Sequence, residues 1–269
     1  MIINETCASL INVIIKSNDL HSLIIYGAGG SGKSYLVLNE INNKLDKNDY
    51  IYFNGYSTPL SLYQLLYNNR DKKLIILDDM EGIFKNEISI SILKNALWST
   101  NNNERVVEYH TSREMSIPNT FIFNANVIIL CNKINEKDIN FQALLSRTIV
   151  YEMKFTYLEK IEMLTHLILE RKDLTVKEKN KCISILKNET SVITEDVNFR
   201  LLNKIISFVK IEFNNSVTLF NSTICKNEDK ELINKLMLEF NTIELQAKKF
   251  MDLTGKSRRT FFRLKKQMK

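Results

Sequence analysis

The stretch Gly27-Ala-Gly-Gly-Ser-Gly-Lys-Ser34 fits the pattern G-x-x-x-x-G-K-[ST] at every fixed position. Its flanks give the match meaning. Leu23-Ile-Ile-Tyr26 before it reads as a buried strand, and residues 35–44 after it read as a helix. Strand, glycine turn and helix in that order build a cradle for phosphate. Glycines let backbone N–H groups close around phosphate oxygens, and the helix turns its positive end toward them. The candidate cradle is Gly27, Gly29, Gly30, Ser31, Gly32, Lys33, Ser34 and Tyr35. Lys33 has the length to reach β- and γ-phosphates, and the Ser34 hydroxyl suits Mg²⁺. The competing reading is a glycine turn that matches by chance, and the flanking strand and helix argue against it.

Further strand signals follow at residues 50–53, 74–77, 127–131 and 148–151, with helical stretches at 34–45 and 87–98. Continuous apolar strands alternating with helices predict an α/β fold with a parallel sheet covered on both faces. The run Leu74-Ile-Ile-Leu77 ends in Asp78 and Asp79. An acid at the carboxyl end of a strand downstream of a phosphate loop suits metal coordination, here by Asp78. Asp79 is placed to polarise a water. A polar cap on a buried strand is the plainer alternative.

Taken together these residues resemble an AAA+ ATPase. Asn132 ends the strand after Asp78 and Asp79, where the family carries its sensor-1 polar residue. Arg147, in Leu144-Leu-Ser-Arg147, falls where the family places an arginine finger that reaches a neighbouring subunit. Arg200, in Glu195-Asp-Val-Asn-Phe-Arg200, matches sensor 2 at the start of a lid helix. Each also has a plain reading, as a strand-end turn, a surface arginine and a helix-surface charge. The family usually follows its magnesium acid with glutamate. Here Asp79 is one methylene shorter, and Glu81 is a second candidate for the base. Residues 93–98, 105–109 and 117–123 resemble AAA+ proteins of phages and mobile elements and suggest a hairpin insertion near 104–124.

The resemblance implies ATP and Mg²⁺ as cofactors, and a homo-oligomer, a hexamer-like ring or a filament, with ATP bound between subunits. It implies a core over 1–155, a helical lid over 156–215, and a linker with a further segment over 216–269. Apolar residues at helical spacing support the lid: Leu158, Ile161, Leu164, Leu167 and Ile168, then Leu201, Ile205, Ile206 and Val209. These are expected in the core. Residues 214–230 read as a linker broken by an apolar patch at 217–220, followed by a helix over 230–240.

Charge singles out the end of the chain. The net charge is +6, yet residues 245–269 hold nine Lys/Arg and one acid, Asp252, so the remainder is slightly acidic. A basic block on a near-neutral body suggests a polyanion-binding appendage. Residues 251–263 resemble a helix-turn-helix. Gly255 supplies a left-handed turn, Ser257 caps the second helix, and Phe261, Phe262 and Leu264 anchor it. The family pattern prefers alanine four residues before the glycine, where this chain has Met251. The candidate DNA contacts are Lys256, Ser257, Arg258, Arg259 and Arg263, with Thr260 on the same helix. The alternative is an amphipathic helix resting on the body or on an acidic membrane.

Composition excludes some classes. No apolar run approaches the ~18 residues of a membrane span, which points to a cytoplasmic protein without membrane contact. Cys7, Cys131, Cys182 and Cys225 are scattered and form no zinc pattern. The expectation is a DNA-binding ATPase of a phage or mobile element, acting in replication, recombination or transposition, with other proteins of those processes as possible partners. Helicase, helicase loader, initiator and transposition regulator all remain open. A slowly hydrolysing DNA-bound switch is the alternative; a small-molecule kinase would share the phosphate loop but not the basic tail.

Overall fold

Runs of β-branched and aliphatic residues form the strands. In the computed structural model these are β1 (Ser22–Tyr26), β2 (Tyr50–Asn54), β3 (Leu74–Asp78), β4 (Val106–Glu108), β5 (Thr120–Ile122), β6 (Asn126–Cys131) and β7 (Ile149–Glu152). The structure describes residues 5–98, 104–111, 115–135, 138–194, 196–224 and 227–268. Glu195, Cys225 and Lys269 therefore lie outside the described residues, as do 112–114 within the expected hairpin. The chain divides into two compact units, with the boundary between Lys154 and Phe155.

In the first unit five strands form one parallel sheet in the order β2-β3-β6-β1-β7. Every residue of β3 and β6 is buried. That is the burial expected of strands covered on both faces. Helices α1 (Glu5–Lys16), α2 (Lys33–Asn42), α3 (Pro59–Asn68), α4 (Glu87–Leu97) and α5 (Ile139–Leu145) accompany the sheet. Several of their starts are chemically marked. Thr58 caps α3 just before Pro59, Asn86 caps α4, and Asp138 caps α5, each accepting backbone N–H groups of the first turn.

The expected hairpin is present in the described part of 104–124, as an antiparallel pair of β4 and β5. Val107 and Phe121 face inward, and Phe121 packs against Tyr63 and Tyr67 at centroid distances of 5.1 and 5.3 Å. Arg105 at its base is buried, and its Nη1 donates to the carbonyls of Ala96 (2.9 Å) and Ala125 (2.7 Å). Burial lowers its pKa to about 10.

The second unit is helical: α6 (Tyr157–Glu170), α7 (Val176–Asn188), α8 (Phe199–Ile211), α9 (Ser216–Thr223), α10 (Glu228–Glu239), α11 (Ile243–Thr254) and α12 (Arg258–Gln267). α6 and α7 each begin with a reciprocal capping box, Thr156 with Glu159 and Thr175 with Glu178. Two expectations fail here. The supposed linker at 214–230 contains helix α9, because Phe220 is buried in the core with Leu202, Ile205 and Val209. Apolar burial overrides the loop-like composition around it. Leu158, read as core, is exposed, since α6 buries Met163, Leu164 and Ile168 and the first turn points elsewhere.

The last three helices share a small core of Ile233, Leu236, Ala247, Phe250, Phe261 and Leu264. Gly255 ends α11 at φ 68°, and Ser257 caps α12 by accepting from Thr260 N. Met251 is half-buried and its carbonyl receives the Gly255 N–H at 2.9 Å. Phe262 is a correction: it lies on the outer face, at 36% exposure, while Phe261 and Leu264 anchor the helix. Nothing would touch a Cβ at Gly255, so only the left-handed backbone resists substitution. Gly255→Ala should therefore cost about 1 kcal/mol, read as a lower urea midpoint for the C-terminal helices, with the parallel-sheet unit unaffected.

Candidate functional site

The strand order sets the site. β6 lies between β1 and β3, so the strand that leads into Gly27–Ser34 and the strand that ends in Asp78 stand about 10 Å apart. Two consecutive residues at the start of α2 bridge that gap. Lys33 Nζ donates to Asn132 Oδ1 at the end of β6 (3.1 Å) and to the carbonyls of Gly27 (2.7 Å) and Ala28 (3.1 Å). Ser34 Oγ donates to Asp78 Oδ2 at the end of β3 (2.5 Å).

The turn itself is built for an anion. Gly30 and Gly32 adopt φ of 74° and 87°. Gly32 occupies the N-cap of α2 with no side-chain cap, and no acid stands in the first turn. The free N–H groups and the positive helix end are left for a ligand. Ser31 Oγ is buried and has no hydrogen-bond partner among the described residues. Lys33 is buried to 7% exposure, and burial pushes its ammonium below its ordinary pKa, against the opposing charges of Asp78, Asp79 and Glu81. Among the described residues the hydrogen-bond acceptors of Lys33 are neutral groups, and it forms no direct ion pair. The acids Asp78, Asp79 and Glu81 act on it only at longer range. Tyr35, next along, is 45% exposed.

This donor set fits a phosphate chain with a hard divalent cation. Ser34, by donating its proton to Asp78, keeps oxygen lone pairs free for a metal, and Asp78 adds a buried carboxylate. Asp79 is exposed and sits at φ 51°, in the left-handed region that aspartate tolerates better than most side chains. Glu81 lies on the short 3-10 helix Glu81–Lys85, and its Oε1 accepts from Asn132 N at 2.6 Å. Residue types alone did not reveal that latch, nor the hydroxyl of Tyr52, which donates to Asp78 Oδ2 at 2.6 Å.

Arg147 is not part of this cluster. It precedes β7, and its carbonyl accepts from Ser22 Oγ at the first residue of β1 (3.4 Å). The phosphate loop leaves the other end of the same strand, roughly 16 Å away. Arg147 therefore stands at the opposite edge of the sheet from its own loop. It lines a hollow of about 160 Å³ with Asp19, His21, Ser22 and Trp98. Arg200 belongs to the second unit, at the second residue of α8, with an exposed side chain.

Around the Gly255 turn and on α12 the basic residues differ in their partners, Lys265 donating to Gln246 Oε1 at 2.6 Å. Lys256 pairs with Asp229 (2.6 Å), and Arg258 pairs with Glu244 (2.7 Å) and lies over the Phe262 ring. Arg259, Arg263 and Lys266 are exposed and make no ion pair among the described residues. At 259, 263 and 266 they occupy one face of α12, with Phe262 at its margin, opposite the buried Phe261 and Leu264.

Comparison with known proteins agrees with this architecture. No family model matches the chain. An uncharacterized 36.7 kDa protein from the nrdC-mobD intergenic region of Enterobacteria phage T4 is 29% identical over 195 residues. That match covers 65% of this chain and 59% of the phage protein, so the chain spans less than two thirds of that relative's length. Among solved structures, a DNA replication initiation factor superposes with TM-score 0.50 at 12% identity, covering 87% of this chain and 67% of that one. The Thermotoga maritima RuvB Holliday junction branch migration motor gives TM-score 0.50 at 11% identity, over 95% and 82%. A point mutant of the same RuvB gives 0.53 at 12%, over 96% and 82%. The fold is that of the AAA+ P-loop NTPases. No helix among the described residues is long and apolar enough to cross a membrane.

The tightest constraint on the loop is Gly27. A Cβ there would lie 2.4 Å from the Met153 carbonyl oxygen, a backbone atom that cannot step aside. Gly27→Ala should lower the melting temperature of the parallel-sheet unit and weaken nucleotide binding together. Calorimetry and a fluorescent-nucleotide titration on the same preparation check the coupling.

Proposed function

We propose that this chain is a Mg²⁺-dependent ATPase that works on DNA and hydrolyses ATP between copies of itself. One observation carries the ATPase reading: Lys33 and Ser34, side by side on α2, engage Asn132 and Asp78 at the ends of two different strands. Ser34 and Asp78 would hold a magnesium ion, which would supply charge neutralisation to the phosphates. Lys33, hydrogen-bonded to neutral acceptors among the described residues, gives its charge to the same phosphates, and the backbone of residues 27–32 encloses them. Asp79 accepts the proton of the attacking water, and Asn132 orients that water. Catalysis is then mainly positioning and charge stabilisation.

The position of Arg147 supports a shared site. It cannot serve its own loop from the far end of β1, so it serves the loop of a second copy. A finger supplied in this way is commonly worth ~10³ or more in rate. Neither Arg147→Ala nor Lys33→Ala alone should hydrolyse ATP appreciably. Mixed in equal amounts they should regain part of the wild-type rate, because some interfaces then join an intact loop to an intact finger. Trp98 is the sole tryptophan and shares the hollow with Arg147. Its fluorescence should therefore change with protein concentration in the presence of ATP. A rate per chain independent of concentration, with no recovery in the mixture, overturns the shared site.

The DNA reading rests on the basic face of α12 and on the turn at Gly255, which support reading α11 and α12 as a helix-turn-helix. Arg259, Arg263 and Lys266 meet the nucleic acid, while Lys256 and Arg258, held by Asp229 and Glu244, set the pose of the helix. The double substitution Arg259→Ala and Arg263→Ala should reduce duplex affinity at least tenfold and flatten its salt dependence. Lys256→Ala should cost less, and basal ATPase should persist in both. Titrations at several salt concentrations check this; equal loss from both variants overturns the division of roles. The phage relative and the fold shared with a replication initiation factor and a branch migration motor support a setting in phage or mobile-element replication or recombination. A slowly hydrolysing DNA-bound switch is the second reading. It is favoured by the short, exposed Asp79 and by Glu81, which is tied to the Asn132 backbone.

A further inference from the structure

Asp78 is held by more than Ser34. β2 is the edge strand beside β3, and its residues Tyr52 and Asn54 point to the same face. Tyr52 Oη donates to Asp78 Oδ2 at 2.6 Å, the oxygen that also accepts from Ser34 Oγ. Asn54 Nδ2 donates to Tyr52 Oη at 3.2 Å, which orients the hydroxyl and makes it a better donor. Asp78 Oδ2 thus receives two O–H donors, whereas Oδ1 accepts no hydrogen bond from the described residues.

A carboxylate on a strand end turns about its last bond unless something holds it. Two donors converging on one oxygen from different elements, α2 and β2, remove that freedom. We propose that Tyr52 is a positioning residue for the divalent cation: by occupying Oδ2 it locks the Asp78 carboxylate so that Oδ1 is the oxygen presented to the metal. This rests on the reading of Ser34 and Asp78 as the metal-holding pair. Ser34 alone would not suffice, because its own oxygen is recruited by the same cation and the shared hydrogen bond must adjust. In this role Tyr52 acts through the Asp78 carboxylate, and its hydroxyl also lies against the Ser34 hydroxyl that shares the same oxygen.

The test is Tyr52→Phe, which keeps the ring and removes the hydroxyl. Binding of a fluorescent ATP analogue to the full chain is titrated with Mg²⁺. The Mg²⁺ concentration at half-maximal enhancement should rise about tenfold, the scale of one hydrogen bond to a charged group. Binding in EDTA should be unchanged within twofold, because Lys33 and the loop backbone make no contact with the Tyr52 hydroxyl among the described residues. A merely structural role for Tyr52 would weaken both conditions alike. Asn54→Ala gives a second variant, expected to shift the Mg²⁺ midpoint in the same direction by a smaller factor, and it carries the test if Tyr52→Phe fails to fold. A Mg²⁺ midpoint equal to wild type in both variants overturns the proposal. A lower midpoint also overturns it, by showing that the hydroxyl competes with the cation. If the wild type binds nucleotide with no dependence on Mg²⁺, the metal reading of Ser34 and Asp78 fails first, and this proposal fails with it.

Discussion

Two neighbouring side chains at the start of α2 hold the carboxyl ends of β6 and β3 in one place. Because β6 is inserted between β1 and β3, the loop that leaves β1 has to reach across a full strand to meet Asp78. The geometry of a helix solves this. Lys33 and Ser34 are adjacent in sequence but diverge by about 100° around the axis, so one turns to Asn132 and the other to Asp78. The demand propagates backward to Gly27, whose missing side chain lets the loop pass the Met153 carbonyl at the end of β7. It propagates forward to Asn132, whose side chain meets Lys33 while its backbone meets Glu81. Four of the five strands of the sheet thus contribute to one cluster, and β2 joins it through Tyr52.

The same sheet separates two chemistries by its length. Its carboxyl edge gathers a lysine, a serine and several acids. Its amino edge carries Arg147 beside Trp98 and His21, with His21 Nδ1 within 3.0 Å of Asn126 Oδ1. Burial, ahead of the Arg105 charge, pushes the His21 pKa down. An arginine fixed at the far end of a rigid strand cannot swing to the other end, and a parallel sheet gives no short path around. That rigidity makes a second copy necessary in the proposed mechanism.

The C-terminal helices show how acids sort a basic surface. The block looks uniform in sequence, yet Asp229 from α10 and Glu244 from α11 each take one cation out of it. What remains on α12 is a narrow strip bordered by Phe262, with Lys248 and Lys249 exposed on α11. Ion pairs of this exposed kind add little stability, so their effect here is on which charges are left to meet a polyanion.

Much of the parallel-sheet unit was legible in the residues. The strands at 22–26, 50–54, 74–78, 126–131 and 149–152 are largely apolar runs, and such runs have few other places to go than a covered sheet. The phosphate loop was legible because the glycines, lysine and serine are required by backbone conformation and reach, both local properties. Leu158, Phe262 and the helix at 216–223 were misread for a shared reason: burial on a helix depends on which partner face arrives, and no local pattern names the partner. Tyr52 and Arg105 carried no signal at all, and Glu81 none for its latch, since a tyrosine in a strand, an acid after a strand and an arginine before a hairpin are ordinary residues in ordinary places. Their roles arise from contacts between segments 26 to 51 residues apart for Tyr52 and Glu81, and 9 to 20 apart for Arg105. Sequence alone determined the strands of the sheet and the loop chemistry, because those follow from each residue's own backbone and side chain. Strand order, the sharing of Asp78 and the sorting of the basic face were decided only by the tertiary structure, which brings distant residues to hydrogen-bonding distance.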